Sequence, residues 1–171
     1  MLGLCYDSKC SPEMEINVLV DEGLEGCPCA SWLESLAQQV LVAQGIDSNT
    51  ELSLVITGQE KMQKLNQSYL GRDEPTDVLA FSMLPAEQTP EADTPPFIVA
   101  PDGLWHLGEV IVSYTQAVIQ AEERRHSLEK EVAILITHGV LHLLGYEDSK
   151  PELRRFMSAR ETEVLNCLDV E

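Results

Sequence analysis

Basic residues are scarce in this chain. Lys and Arg together number 11 against 29 Asp and Glu, a formal net charge of −18. So acidic a protein does not coat nucleic acid non-specifically, because that binding is driven by cations neutralising phosphates. It can meet RNA only through a local basic patch or a metal ion, which counts against a nucleic-acid role without excluding one. Cysteine is too sparse and irregular for a disulfide framework: Cys5, Cys10, Cys27, Cys29 and Cys167 make an odd set. CPC at 27–29 is not a CxxC and no second pair follows it, so all five read as free thiols in a reducing cytoplasm. No apolar run reaches the roughly 18–20 residues that span a bilayer, which argues against a membrane partner. The opening MLGLCYDSKCSPEM has neither a basic stretch nor a sustained apolar core and does not read as a signal peptide.

What is present suits a soluble globular domain. The 171 residues are 44% hydrophobic and 23% charged, enough chain for one real core. Residues 1–14 read as a flexible leader and 15–171 as a single domain. EINVLVD (15–21) reads as a strand, and Ser31 as the cap of a helix that stops at Gly45. ELSLVIT (51–57) alternates, placing Leu52, Leu54 and Ile56 on one face. An amphipathic helix follows to Leu70, with Thr57 and Glu60 spaced as a capping box. VLAFSM (78–83) and HLGEVIVSY (106–114) are two further strands. Between them, residues 84–103 carry five prolines and four acids and read as a long surface loop. Three helices close the chain: one ending near Ser127, an apolar one over Leu128–Leu144, and an amphipathic one over 151–168 with Pro151 in its first turn. The order predicts an α+β fold, a small mixed sheet packed with several helices.

The chemistry concentrates in HGVLHLLGYED (138–148). His138 and His142, at i and i+4, lie about 40° apart around a helix and about 6 Å apart along it. Two imidazoles so placed can converge on one ion at about 2 Å. Gly145 suits a helix stop and chain reversal that carries Glu147 or Asp148 back toward them. The layout is that of a metalloprotease-type metal-site helix. Position 139, where HExxH peptidases carry a glutamate base, is Gly139, so peptidase chemistry is not expected. The bland alternative is two packed histidines and a glycine C-cap.

HGVLHLLGYED, LNQSYLGRDEPTDVLAFS (65–82) and LGEVIVS (107–113) occur in order. They resemble the HGxLHLxGYDH, LNxxYRxxDxPTDVLSF and LGDIxIS stretches of the YbeY family of bacterial endoribonucleases, or rRNA maturation factors. The resemblance covers roughly residues 50–165. It implies an α+β fold, one zinc ion held by three histidines, and metal-dependent cleavage of single-stranded RNA. It further implies a role in small-subunit ribosomal RNA maturation and ribosome quality control, with the small ribosomal subunit and its assembly proteins as partners.

By position, His138 and His142 correspond to the first two ligands, and the third histidine is replaced by Asp148. A carboxylate can ligate zinc at about 2.0–2.2 Å. It lowers the site's net charge from +2 to +1 and can admit harder ions such as Mn²⁺. Glu147 is a competing ligand, and a cap for the last helix is the alternative role for Asp148. The family arginine falls at Leu70, and Arg72 is the candidate to bind phosphate in its place, against the alternative of a turn residue paired with Asp73 or Glu74. Asp77 matches the family, with holding the turn as its plainer role. Ala80 stands for a serine and Glu109 for an aspartate. His106 reads as a residue at the start of a strand and His126 as a surface helix end. Arg124, Arg125, Arg154 and Arg155 read as solvated helix faces that also offer the paired basic spots.

Overall fold

The computed structural model describes residues 14–46, 48–84, 103–168 and 170. The leader up to residue 13 and residues 85–102 of the Pro/acid loop lie outside them, as do Cys5 and Cys10. Four strands form one mixed sheet: β1 (Glu15–Val20), β2 (Thr50–Thr57), β3 (Val78–Ser82) and β4 (Trp105–Ser113). The order is β1-β2-β4-β3, with the first three neighbours parallel and β3 antiparallel to β4 at the edge. Five helices complete the domain: α1 (Ala30–Ala43), α2 (Gln59–Leu70), α3 (Tyr114–Arg124), α4 (Leu128–Leu143) and α5 (Pro151–Cys167). The α+β architecture expected from the element order is the one observed.

Strand alternation explains why helices cover both faces. Leu52, Leu54 and Ile56 of β2 join Val110 and Val112 of β4 in the main core, capped by α1 and α4. Val55, Leu79 and Ile111 point the other way and pack on Met62 of α2. The central helix is α4, which packs on β3, β4, α1, α3 and α5. It can lie close to the sheet because position 139 has no side chain. A Cβ there would meet Val110 Cγ1 at 2.5 Å and Val78 Cγ2 at 3.2 Å. A β-bulge at the start of β4 rests on Gly108, with φ of 129°, where a Cβ would lie 2.0 Å from the carbonyl oxygen of Phe81.

Several helix starts differ from expectation. The N-cap of α1 is Cys29, not Ser31, and no side chain caps it. Thr57 does not cap α2. It is the buried last residue of β2, and its hydroxyl donates to Asp21 at 2.5 Å, leaving Gly58 as N-cap. The third helix begins at Tyr114, capped by the Ser113 side chain, and stops at Arg124 because Arg125 turns left-handed. Ser127 caps α4 by accepting from the Lys130 amide.

Candidate metal centre

The end of α4 builds the site. Leu144 is the C-cap and Gly145 takes φ of 93°, which an L side chain rarely adopts. The Gly145 amide then donates to the His142 carbonyl at 3.1 Å, and the Tyr146 amide reaches the Leu141 carbonyl at 3.0 Å. This Schellman pair reverses the chain. The reversal returns the carbonyl of Tyr146 to His142 Nδ1 at 3.0 Å and sets Asp148 Oδ2 4.0 Å from His142 Nε2.

Both imidazoles are oriented through Nδ1. His138 Nδ1 faces Glu161 Oε1 at 2.5 Å, and His142 Nδ1 faces a carbonyl that can only accept. Each Nδ1 therefore carries the hydrogen, and each ring, when neutral, turns an Nε2 lone pair inward. The two Nε2 atoms lie 3.0 Å apart, with ring planes at 81°. Lone pairs facing at that distance repel unless a cation sits between them. A proton on one ring serves, and so does a metal ion at about 2.0–2.1 Å from each nitrogen. Glu161, by accepting the hydrogen bond, raises the pKa of His138 against the opposing effect of burial. Burial, and then the charge of His138, lowers that of His142.

His138, His142 and Asp148 place their ligand atoms within 4.8 Å of one another. The donor set of two nitrogens and one carboxylate fits a zinc-like ion once the half-exposed Asp148 side chain turns inward. Glu147 is not in this group, and its carboxylate accepts instead from Ser149 at 3.5 Å. Asp148 is not the cap of α5, whose N-cap is Lys150. Its backbone carbonyl is held by Arg154 Nε at 3.3 Å, so Arg154 does more than face solvent.

His142 and Asp148 line a cleft of about 810 Å³ that also meets Leu70, Arg72, Phe81 and Tyr146. Arg72 is exposed on this cleft. Asp73 accepts from Gln63 at 2.9 Å, and among the described residues neither it nor Glu74 forms an ion pair with Arg72. Asp77 holds the turn, accepting from the Val78 amide and from Gln120 Nε2. His106 pairs with Glu51 across β4 and β2. His126 is not a plain surface residue: with Arg124 it hydrogen-bonds Glu131, which is fully buried in the first turn of α4.

Glu161 was the residue that motif reading missed. It lies 23 residues beyond His138, outside any local pattern. The available signal was an acid on the apolar stripe of the last helix, between the buried Met157 and Val164.

Comparison with known proteins identifies the family. The family model described as Endoribonuclease YbeY matches residues 22–169. A protein of Dehalococcoides mccartyi named Endoribonuclease YbeY is 46% identical over 150 residues, covering 86% of this chain and 92% of its own. Another of that name, from Pelotomaculum thermopropionicum, is 41% identical over 153 residues, 90% and 91% of the two chains. The solution structure of TM1509 from Thermotoga maritima shares the fold, with a TM-score of 0.55 at 24% identity over 88% of this chain and 89% of that one. With its helix-borne histidine pair, glycine turn and matching sequence span, this chain belongs to the YbeY endoribonuclease family.

Proposed function

We propose that the protein is a metal-dependent endoribonuclease that cleaves single-stranded ribosomal RNA during small-subunit maturation and ribosome quality control. The observation that carries the metal dependence is the pair of Nε2 atoms 3.0 Å apart, each ring fixed from behind through Nδ1. The endoribonuclease reading comes from family membership and from the names of the relatives.

In this reading His138, His142 and Asp148 hold one divalent ion, zinc by its nitrogen donors. Such an ion supplies Lewis acidity toward phosphate oxygen and lowers the pKa of water. Glu161 and the Tyr146 carbonyl keep the rings in the ligating tautomer. Arg72, on the same cleft, presents a fork of donors to the phosphate and takes over from the family arginine, whose place Leu70 occupies. Substitution of Asp148 for the family histidine leaves the site more tolerant of Mn²⁺. The proposed setting is the cytoplasm, with ribosomal RNA and the small ribosomal subunit with its assembly proteins as partners. No helix among the described residues is long and apolar enough to cross a membrane.

The test compares the wild type with His138→Ala, His142→Ala, Asp148→Ala and Arg72→Ala. Bound metal is measured by elemental analysis, and cleavage is assayed on single-stranded and duplex ribosomal RNA fragments. The expected result is about one ion per chain and single-strand cleavage, with both lost in the histidine variants. Arg72→Ala should keep the metal and lose cleavage. Metal without RNA cleavage in the wild type indicates a hydrolase of another substrate. Ribosome binding without metal indicates a non-catalytic assembly factor.

A further inference from the structure

Two pairs of aromatic rings flank the cleft of the proposed metal centre, one ring of each pair lining it. Tyr69 of α2 and Phe81 of β3 have ring centroids 4.9 Å apart and planes inclined at 55°. Tyr146, just past the Gly145 turn, stacks on Phe156 of α5 with centroids 5.8 Å apart and planes 15° apart. Phe81 and Tyr146 line the cleft itself. The whole chain has 4 Tyr and 3 Phe, and these pairs take two of each. One ring of each pair stands in water, Tyr69 at 66% and Phe156 at 62% exposure. Core packing does not account for rings left so open, since burying them would stabilise the fold.

The shape of the cleft adds direction. Ala80 packs toward the main core under α4, whereas Phe81 belongs to the opposite face with α2. Both line the cleft, which therefore wraps around β3, the edge strand among the described residues. Its charge adds chemistry. Arg72 is the one Lys or Arg among the described residues lining it, against Glu74, Glu147 and Asp148. One arginine beside the proposed metal ion gives a polyanion few phosphate contacts there, so much of the affinity has to come from the bases.

The geometry points to Tyr69/Phe81 and Tyr146/Phe156 as stacking platforms for unpaired bases on either side of the phosphate at the metal centre. This rests on the nuclease reading above and assigns how the same site selects single strands. Bases within a duplex are already paired and stacked, whereas splayed bases offer a face to an exposed ring. With so few cations, binding should depend only weakly on salt, with a log–log slope of roughly −1, where many-phosphate binders are far steeper.

The experiment uses the metal-loaded protein and a short single-stranded 2′-O-methyl oligonucleotide carrying 2-aminopurine. Affinity is read by anisotropy, and stacking by quenching of the 2-aminopurine. Tyr69→Ala and Phe156→Ala should each weaken binding at least roughly fivefold and relieve quenching. Tyr69→Phe and Phe156→Trp should retain both. Bound metal and melting temperature should be unchanged in all four, and an abasic oligonucleotide should bind as poorly as the alanine variants do. Wild-type cleavage of RNA with unchanged affinity and quenching in the alanine variants overturns the platforms and leaves the nuclease reading intact. A wild type that neither binds nor cleaves overturns both. A change of oligomeric state on Phe156→Ala, with RNA affinity unmoved, makes that ring a self-association contact and overturns its assignment.

Discussion

Glu161 is outside the proposed ligand group, yet it decides which nitrogen of His138 faces that group. Glu161→Gln keeps a hydrogen-bonding group of similar size but removes the negative charge behind the imidazole. The expected outcome is a loss of metal affinity of roughly 10–100-fold with the fold retained, measured by competition with a chelator and by circular dichroism. Asp148→His changes the opposite term. It raises the net charge of the site and adds a softer donor, so zinc should bind more tightly and Mn²⁺ less tightly than in the wild type. A titration giving the same preference for both proteins would remove Asp148 from the ligand set. The i, i+4 pair and the glycine turn were legible at this scale because both are local: one helix, one reversal, eleven residues. Glu161 was not legible, because its relation to His138 exists only once α5 has packed on α4.

At the scale of elements, α4 carries both the histidine pair and the contact with the sheet. Gly139 faces Val110 and Val78, so the helix has no room for a glutamate at the position peptidases use. Gly139→Ala forces α4 and the sheet apart. It should cost about 1–3 kcal/mol by denaturant unfolding and loosen the cleft wall against which His142 sits. The start of the same helix depends on Arg124 and His126 holding the buried carboxylate of Glu131. Removing both partners together leaves a carboxylate buried without compensation, and the double alanine variant should lose about 3–5 kcal/mol. Stability unchanged by this double substitution would show that water or a shifted Glu131 meets the charge. The sequence presents the pair as solvated because a helix end rich in Arg and His carries no sign of an acid buried one turn into the next helix. Thr57 departs from its expected role for a similar reason. Its spacing to Glu60 fits a capping box, but Asp21 at the end of the neighbouring strand claims its hydroxyl.

For the whole molecule the dominant fact is its charge of −18. Self-repulsion among exposed carboxylates is screened by salt, with a Debye length of about 10 Å at 0.1 M. The melting temperature should therefore rise between about 20 and 300 mM NaCl, and a fall would show that ion pairs of the kind formed by Lys61 with Asp21 outweigh the repulsion. The sequence by itself determined the fold class, the strand and helix order, the histidine pair and its turn, because period and spacing act over a few residues and survive any packing. Tertiary structure alone decided that Asp148 and not Glu147 lies near the histidines. It alone gave His138 its carboxylate partner and wrapped the cleft past two aromatic pairs around the β3 edge. The last two outcomes join different elements of the chain, and the first depends on the side-chain directions past the Gly145 turn. They follow from how α4 settles on the sheet and α5 on α4, a geometry set by the sum of many buried contacts and not by any one stretch of residues.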